Sequence, residues 1–321
     1  MSNNSNHTFL EEVLGIEHLT TTVLRTMFIT INAIFTMLAN VFCICVIKRT
    51  THLGESTKVF ACSLALADFF VGLMTMSSIV PSVINYWPFG EPLCHALINM
   101  GMALGNLSVI FLTCLGVDRL VTIKSALRYN RMLTKQYALT VSVLLWIFII
   151  GCYLLLVPSG PPIEYRPHLA MCVHTVDDEG IIFLLIVSTS SYIIPITIAI
   201  STYIYLIIIA RRHMCSIQRQ IPYGPKPKLR GSVLMFTFAT FFFVIAWTPL
   251  IAGVLYEGIA RAKIPTWYEF FATWLVATNS WWNVIIYARS DRAWRNTAKR
   301  LLNRLLFTSN IIRTPTASLQ T

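Results

Sequence analysis

One carboxyl group of this sequence lies in the middle of a long apolar segment: Asp68, at the end of Ser63-Leu-Ala-Leu-Ala-Asp68. An ionisable group in such surroundings is costly, so it needs polar partners and indicates a function. Oxygen-bearing side chains stand at similar depth in other apolar segments, namely Asn40, Ser108, Asn279, Ser280 and Asn283. One carboxylate with several neutral oxygens suits a small hard cation, although the same atoms could form a purely structural polar network with water. We predict a sodium site at Asp68, Ser108, Asn279, Ser280 and Asn283.

A second embedded acid, Asp118, directly precedes Arg119 at the end of another apolar segment. Adjacent opposite charges at a helix end often form a simple charge pair, so this pair alone is a weak signal. The sequence indicates no enzyme chemistry, and no cofactor is expected besides sodium as an allosteric ion.

Seven apolar segments would have to position these side chains. Each exceeds the ~20 residues that a helix needs to cross a membrane. The segments are Leu24–Ile47, Thr57–Ile84, Leu93–Ile123, Tyr137–Val157, Ile181–Ala210, Ser232–Tyr256 and Pro265–Tyr287. We therefore predict an all-α membrane protein, a bundle of seven transmembrane helices.

Positive charge is distributed unevenly around these segments. Of 25 Lys and Arg residues, four lie on the side of the N-terminus: Arg25, Arg166, Arg261 and Lys263. Because Lys and Arg accumulate in cytoplasmic loops, we predict a multi-pass cell-membrane protein with its N-terminus outside and its C-terminus in the cytoplasm. The formal charge of +11 borders the cytoplasmic helix ends. Its expected partners are anionic membrane lipids and not nucleic acid.

Residues 1–23 are expected to form an extracellular tail, glycosylated at Asn3 and Asn6 within the sequons Asn3-Asn4-Ser5 and Asn6-His7-Thr8. Residues 24–290 form the bundle. Of eight cysteines, Cys94 and Cys172 are the pair on the oxidising side, and we predict a disulfide between them. Residues 291–306 are predicted to form an amphipathic helix on the membrane surface, with an apolar face at Trp294, Ala298, Leu301, Leu302 and Leu305. Residues 307–321 form a cytoplasmic tail.

Landmarks recur in order, one set per segment, and together they are highly specific. They are Asn40, Leu64-Ala-Leu-Ala-Asp68, Trp87-Pro-Phe-Gly90 before Cys94, Asp118-Arg119-Leu120, Trp146, Pro195, Tyr203, Phe243, Trp247-Thr-Pro249, Asn283-Val-Ile-Ile-Tyr287 and Trp294. Over residues 24–306 the chain resembles a rhodopsin-like (class A) G-protein-coupled receptor, nearest the amine-like branch. The resemblance implies a receptor that transmits an extracellular signal to a heterotrimeric G protein, with arrestin as a further partner.

The resemblance also implies roles for single residues. Asp118 would hold Arg119 until activation frees the Arg to meet the G protein. Trp247 would act as a toggle beneath the ligand, and the set that carries activation would be Asp118, Arg119, Tyr203, Phe243, Trp247, Asn283 and Tyr287. Leu120, Leu229 and Val284 replace a Tyr, an acid and a Pro of the family. We therefore expect a weak inactive lock and high basal activity.

The same resemblance places a ligand pocket at the outer half of the bundle. Gly101, 18 residues before Arg119, stands where amine receptors carry an Asp, so a neutral or lipid-like small molecule is expected. The predicted ligand-binding residues are Gly101, Met102, Gly105, His174, Val187, Ser188, Ser191, Trp247, Leu250, Ile251, Val254, Thr273, Trp274 and Ala277. Three of these have an alternative reading: Gly101 and Gly105 could serve close helix packing, and a loop His such as His174 could be solvated.

Other functions stay open at this point. Leu120 and Val284 favour a non-signalling decoy or heterodimer partner of the same fold. The acidic outer rim, which includes Glu257 and Glu269, would suit a peptide receptor. A channel or transporter is a more distant alternative.

Overall fold

The computed structural model of the chain describes residues 2–124, 133–155, 162–175, 182, 186–187, 189–220 and 231–312. Eight long helices account for most of them. These are α1 Ser2–Arg49, α2 Glu55–Thr75, α3 Glu91–Lys124, α4 Lys135–Leu155, α5 Ile194–Gln220, α6 Gly231–Ala260, α7 Thr266–Ser290 and α8 Arg292–Ile312. A 3-10 turn at Met76–Ser78 and a short helical segment at Ile79–Ile84 prolong α2, and a π-helical turn at Thr189–Ile193 precedes α5.

Helices α1 to α6 are long and apolar enough to cross a membrane. Several place large apolar side chains on their outer surface, as α4 does with Leu144, Ile147 and Phe148, which is typical of a face toward lipid. α7 has 25 residues, enough to cross the ~30 Å hydrocarbon core, but its composition is more polar. Its polar side chains Asn279, Ser280 and Asn283 are buried against the other helices. The predicted all-α membrane fold is confirmed.

α3 lies at the centre of the bundle and packs against α2, α4, α5 and α6. Its residues Leu104, Leu107, Phe111 and Leu115 are fully or almost fully buried. Because neighbours surround α3, side chains near its start can line a cavity and side chains near its end can join a charge cluster.

The first helix begins earlier than the sequence indicated. Residues 1–23 were expected to be a tail, whereas α1 already starts at Ser2 and includes Asn3 and Asn6. The segment contains no proline, so nothing in its backbone chemistry interrupts the helix before Arg49. Glycosylation of the two asparagines stays a prediction.

A two-stranded antiparallel hairpin covers the outer end of the bundle. Strand β1, Ile163–Arg166, pairs with β2, Met171–His174, and Tyr165 stands opposite Cys172. The predicted disulfide is present: Cys172 is bonded to Cys94 at the start of α3, with 5.7 Å between their Cα atoms. The hairpin is therefore fixed above α3.

After α7, α8 packs against α1 and α7, and it extends to Ile312 instead of ending near residue 306. Of the predicted apolar face, Trp294, Ala298 and Leu301 are buried against the bundle, and its place on the membrane surface stays a prediction. Leu302 is 49% exposed, so it does not pack on the bundle, and the side chain of Leu305 lies outside the described residues. The helical register separates these residues: Trp294, Ala298 and Leu301 recur every three or four positions, and Leu302 follows Leu301 at about 100° around the helix.

Asp291 begins α8 as an N-cap. Its Oδ1 accepts hydrogen bonds from the backbone N–H groups of Ala293 at 2.8 Å and Trp294 at 3.1 Å, and its Oδ2 lies 2.7 Å from Nε2 of His52. Burial alone would raise the pKa of Asp291, but the hydrogen bonds from His52 and from the backbone of α8 outweigh it and lower that pKa. The loop after α1 is thereby tied to α8.

Candidate functional site

A cavity of about 330 Å³ lies beneath the hairpin, lined by α2, α3, α6 and α7. Its walls are mainly apolar and include Val71, Met74, Leu97, Ile251 and Val276. Polar side chains are concentrated at its two ends: Arg166, His174, Glu257 and Glu269 at the mouth, and Asp68, Ser108, Asn279 and Ser280 at the floor. An apolar chamber with a few convergent polar groups is typical of a small-molecule site.

Most of the predicted ligand-binding residues line this cavity. They are Gly101, Met102, Gly105, His174, Trp247, Leu250, Ile251, Val254, Thr273 and Ala277. Val187 does not: it packs against the main apolar core. Ser188 and the side chain of Ser191 lie outside the described residues.

Trp274 is the second predicted residue that does not line the cavity. It is 1% exposed and contacts Phe28 of α1, with ring centroids 5.9 Å apart in an edge-to-face arrangement. On α7, Thr273, Val276, Ala277 and Ser280 recur every three or four residues and form the face toward the cavity. Trp274 follows Thr273 at about 100° around the helix, so it points to α1 instead.

The two glycines of α3 have different roles. A Cβ atom at Gly105 would lie 2.8 Å from the ring of Trp247 and 3.1 Å from the hydroxyl of Tyr192. Gly105 therefore serves the close packing of α3 against α6. At Gly101 the nearest atom would be Cε of Met74 at 3.8 Å, so this glycine leaves room in the cavity.

His174 is buried, with 6% of its surface exposed, and it lines the cavity. The alternative of a solvated loop histidine is wrong because β2 and the disulfide hold this residue against the bundle.

The acidic groups at the mouth are largely engaged. Glu269 at the start of α7 pairs with Arg166, and its Oε2 lies 2.7 Å from Nε2 of His168. Arg166 also donates from Nε to Glu164 at 2.8 Å. Burial alone would lower the pKa of Arg166, but the hydrogen bonds and charges of Glu164 and Glu269 outweigh it and raise that pKa. Glu257 accepts a hydrogen bond from the backbone N–H of Ile264 at 3.0 Å.

Sequence reasoning missed several residues of the cavity, and three of them show why. Arg166 comes from the hairpin, whose pairing the sequence does not reveal. Tyr268 lies at the start of α7, where its hydroxyl donates to the carbonyl of Pro249 at 2.8 Å. Tyr192 directly follows the predicted Ser191, and the π-helical turn at Thr189–Ile193 locally shifts the helical register.

At the floor, Asp68 is 2% exposed and accepts hydrogen bonds from Ser108 Oγ at 3.2 Å and from Asn283 Nδ2 at 2.9 Å. Asn279 and Ser280 line the cavity beside it. Asn40 donates to the backbone carbonyl of Ser280 at 3.0 Å, which fixes α1 to α7 near this point. The five side chains of the predicted sodium site are thus close together, and they offer carboxylate, hydroxyl and amide oxygens of the kind that hold a hard cation.

An aromatic column leads from the cavity toward the end of the bundle opposite the hairpin. Trp247 is stacked on Tyr192, with ring centroids 4.2 Å apart, and on Phe243, with centroids 5.5 Å apart. Further down, the Tyr203 hydroxyl donates to the carbonyl of Leu112 at 3.1 Å. Tyr287 packs edge-to-face against Phe236, and its buried hydroxyl has no hydrogen-bond partner among the residues described.

Near the C-terminal end of α3, Arg119 is buried and paired with its neighbour Asp118, with Nη2 2.6 Å from Oδ2. The pair also contacts the first turn of α2. Leu229, the residue expected to leave the lock weak, lies outside the described residues.

The order of these features along the helices matches one protein family. The model of the seven-transmembrane receptor (rhodopsin family) matches residues 39–287. The chain belongs to this family. It is therefore a class A receptor of the cell membrane and not an enzyme, and its amine-like resemblance is supported by the relatives below.

Three relatives of the receptor are at low identity. It is 25% identical over 277 residues to melatonin receptor type 1A of Phodopus sungorus, which covers 83% of this chain and 76% of that one. It is 28% identical over 313 residues to the D(1B) dopamine receptor of Rattus norvegicus, and the alignment covers 81% of this chain and 66% of that receptor. It is 27% identical over 193 residues to 5-hydroxytryptamine receptor 2C of Mus musculus, and the alignment covers 60% of this chain and 42% of that receptor.

Proposed function

We propose that this receptor transmits the binding of a neutral or weakly polar small molecule in the cavity to a heterotrimeric G protein. The observation that carries the proposal is the aromatic column. Trp247 lines the cavity and is stacked on Phe243, and both residues lie on α6, the helix that approaches Tyr203 and Arg119. A ligand that prefers one position of Trp247 would shift the balance between two arrangements of α5 to α7. The N-terminus would face outward, and the basic cytoplasmic ends would meet the G protein and anionic lipids.

The ligand chemistry follows from the charges available inside. Gly101 supplies no counter-charge on α3, and the surrounding walls are apolar. An ammonium group buried among these apolar walls would lose its hydration without an ion-pair partner, which costs several kcal/mol. The carboxyl group of Asp68 lies apart from these walls, at the cavity floor, where Ser108 and Asn283 already donate to it. At the mouth, Glu269 already pairs with Arg166 and lies beside His168, so a cationic ligand would gain little from it. These features favour a neutral ligand such as melatonin, after which the first relative is named, over the amines dopamine and 5-hydroxytryptamine, after which the other two are named.

We further propose that sodium binds at Asp68 in the inactive arrangement. The support is the group of oxygens at the cavity floor, where Ser108 and Asn283 contact the carboxylate and Asn279 and Ser280 lie beside it. A cation that prefers this arrangement would oppose activation through its differential affinity.

The ligand class is tested by a panel of biogenic amines, melatonin and other neutral or lipid-like compounds, with G-protein activation as the readout. We expect neutral compounds to activate and simple amines to be inactive below micromolar concentration. Variants Glu257→Gln and Glu269→Gln show whether an amine engages the rim. Submicromolar activation by a simple amine that survives both substitutions would overturn the ligand proposal.

A further inference from the structure

The first turn of α2 carries two hydroxyl groups that serve a neighbouring helix. Ser and Thr at the start of a helix often cap it with a side-chain hydrogen bond. The residue that precedes α2 is Gly54, so α2 has no such side-chain cap. Ser56 and Thr57 are instead fully buried and donate to α3: Ser56 Oγ lies 2.6 Å from Oδ1 of Asp118, and Thr57 Oγ1 lies 2.6 Å from Oδ2.

Thr57 contacts both members of the charge pair. While its hydroxyl donates to Asp118, the same oxygen accepts a hydrogen bond from Nη2 of Arg119. A hydroxyl has one proton to donate and lone pairs to accept, so a single Thr can bridge an acid and a base. Valine has the same shape and can do neither, whereas serine can do both.

Resting on the proposed G-protein coupling, we propose that Thr57 is a positioning residue that holds Arg119 in the inactive arrangement, so that α2 supplies a restraint on this Arg. For Arg119 to reach a G protein, its contact with Thr57 has to break. Release would also break the ion pair of Arg119 with Asp118, whose carboxylate would keep its hydrogen bonds from Ser56 and Thr57. The Arg119–Thr57 contact is the part of this cost that α2 supplies. Loss of a hydrogen bond to a buried charged group shifts the balance between the two arrangements.

Basal nucleotide exchange on G protein, measured in membranes at matched surface expression, tests the effect on activation. We expect Thr57→Val to raise basal exchange about threefold to tenfold, the range for the net contribution of one hydrogen bond that favours one of two states. Thr57→Ser keeps the bridge and should behave as the parent. Ser56→Ala removes a donor to Asp118 but leaves the Arg119–Thr57 contact, so it should raise exchange less than Thr57→Val.

A double-mutant cycle of thermal stability in detergent tests the Arg119–Thr57 contact without a measurement of G-protein activation. Thr57→Val should lower Tm by about 2–4 °C in the parent and have a smaller effect in the Arg119→Ala background, because the partner is then missing. Additive effects would overturn the proposed restraint. Coupling in Tm with unchanged basal exchange would overturn its role in activation. If the parent shows no exchange that depends on Arg119, the G-protein proposal fails, while the cycle still tests the contact.

Discussion

Asp68 combines deep burial with a position at the floor of the cavity, and its donors Ser108 and Asn283 come from different helices, α3 and α7. The carboxylate and the oxygens around it could be foreseen from the sequence because each stands at similar depth in its own segment. Their actual distances depend on how the helices pack, which no single segment determines.

The first prediction concerns sodium. Adding NaCl should raise the Tm of the parent receptor, with stabilisation of about 1 kcal/mol once the concentration is several times the dissociation constant. Asp68→Asn keeps a similar shape and removes the charge, so it should lose this response. Potassium chloride at the same ionic strength is the control. An equal sodium response in the parent and Asp68→Asn would exclude the site.

Gly105 and Gly101 form a matched pair for a second prediction. Gly105→Ala places a methyl group 2.8 Å from the Trp247 ring, so the ring or α3 has to shift. Overpacking of this kind costs about 1–3 kcal/mol, which thermal unfolding in detergent measures. Gly101→Ala meets Met74 at an ordinary 3.8 Å and should leave Tm nearly unchanged. Equal effects of the two substitutions would contradict the packing role of Gly105.

Among the elements, the hairpin is the one that the sequence revealed least. Cys94 and Cys172 could be paired from their compartment alone, yet β1 and β2 were not predicted, and Arg166 was counted only as an outer charge. Its contact with Glu269 depends on the hairpin turn, where Ala170 has a positive φ of 56°. Likewise, Thr273 and Trp274 lie on different faces of α7, and only the packing of α1 against α7 shows which of them lines the cavity.

The third prediction belongs to this element. The bond between Cys94 and Cys172 closes a separation of 78 residues. Its removal should cost about 2–5 kcal/mol and reduce surface expression, because the unbridged chain gains freedom that folding has to remove. Cys94→Ser and Cys172→Ser should give the same loss as the double variant, since each alone breaks the bond. Cys215→Ser, at an exposed free cysteine, is the control and should express normally. Unequal losses from the two single variants would contradict the bond.

For the whole molecule, the sequence was sufficient for the fold class and the family because seven apolar segments and their ordered landmarks are local properties. Residue-level function was harder to foresee. The role of Thr57 had no sequence signal, since a Thr at the start of a helix usually suggests a cap. Its contact with Arg119 exists because α2 and α3 pack side by side.

Basal G-protein activation with and without the Arg119 side chain tests the signalling role most directly. Nucleotide exchange is measured in membranes over a range of surface-expression levels, with mock-transfected membranes as the baseline. The parent should exceed the baseline in proportion to its expression, and Arg119→Ala, expressed equally, should return to it. A parent that is silent at high surface expression, or an Arg119→Ala variant with the full signal, would contradict the proposed signalling function and favour a decoy or heterodimer partner.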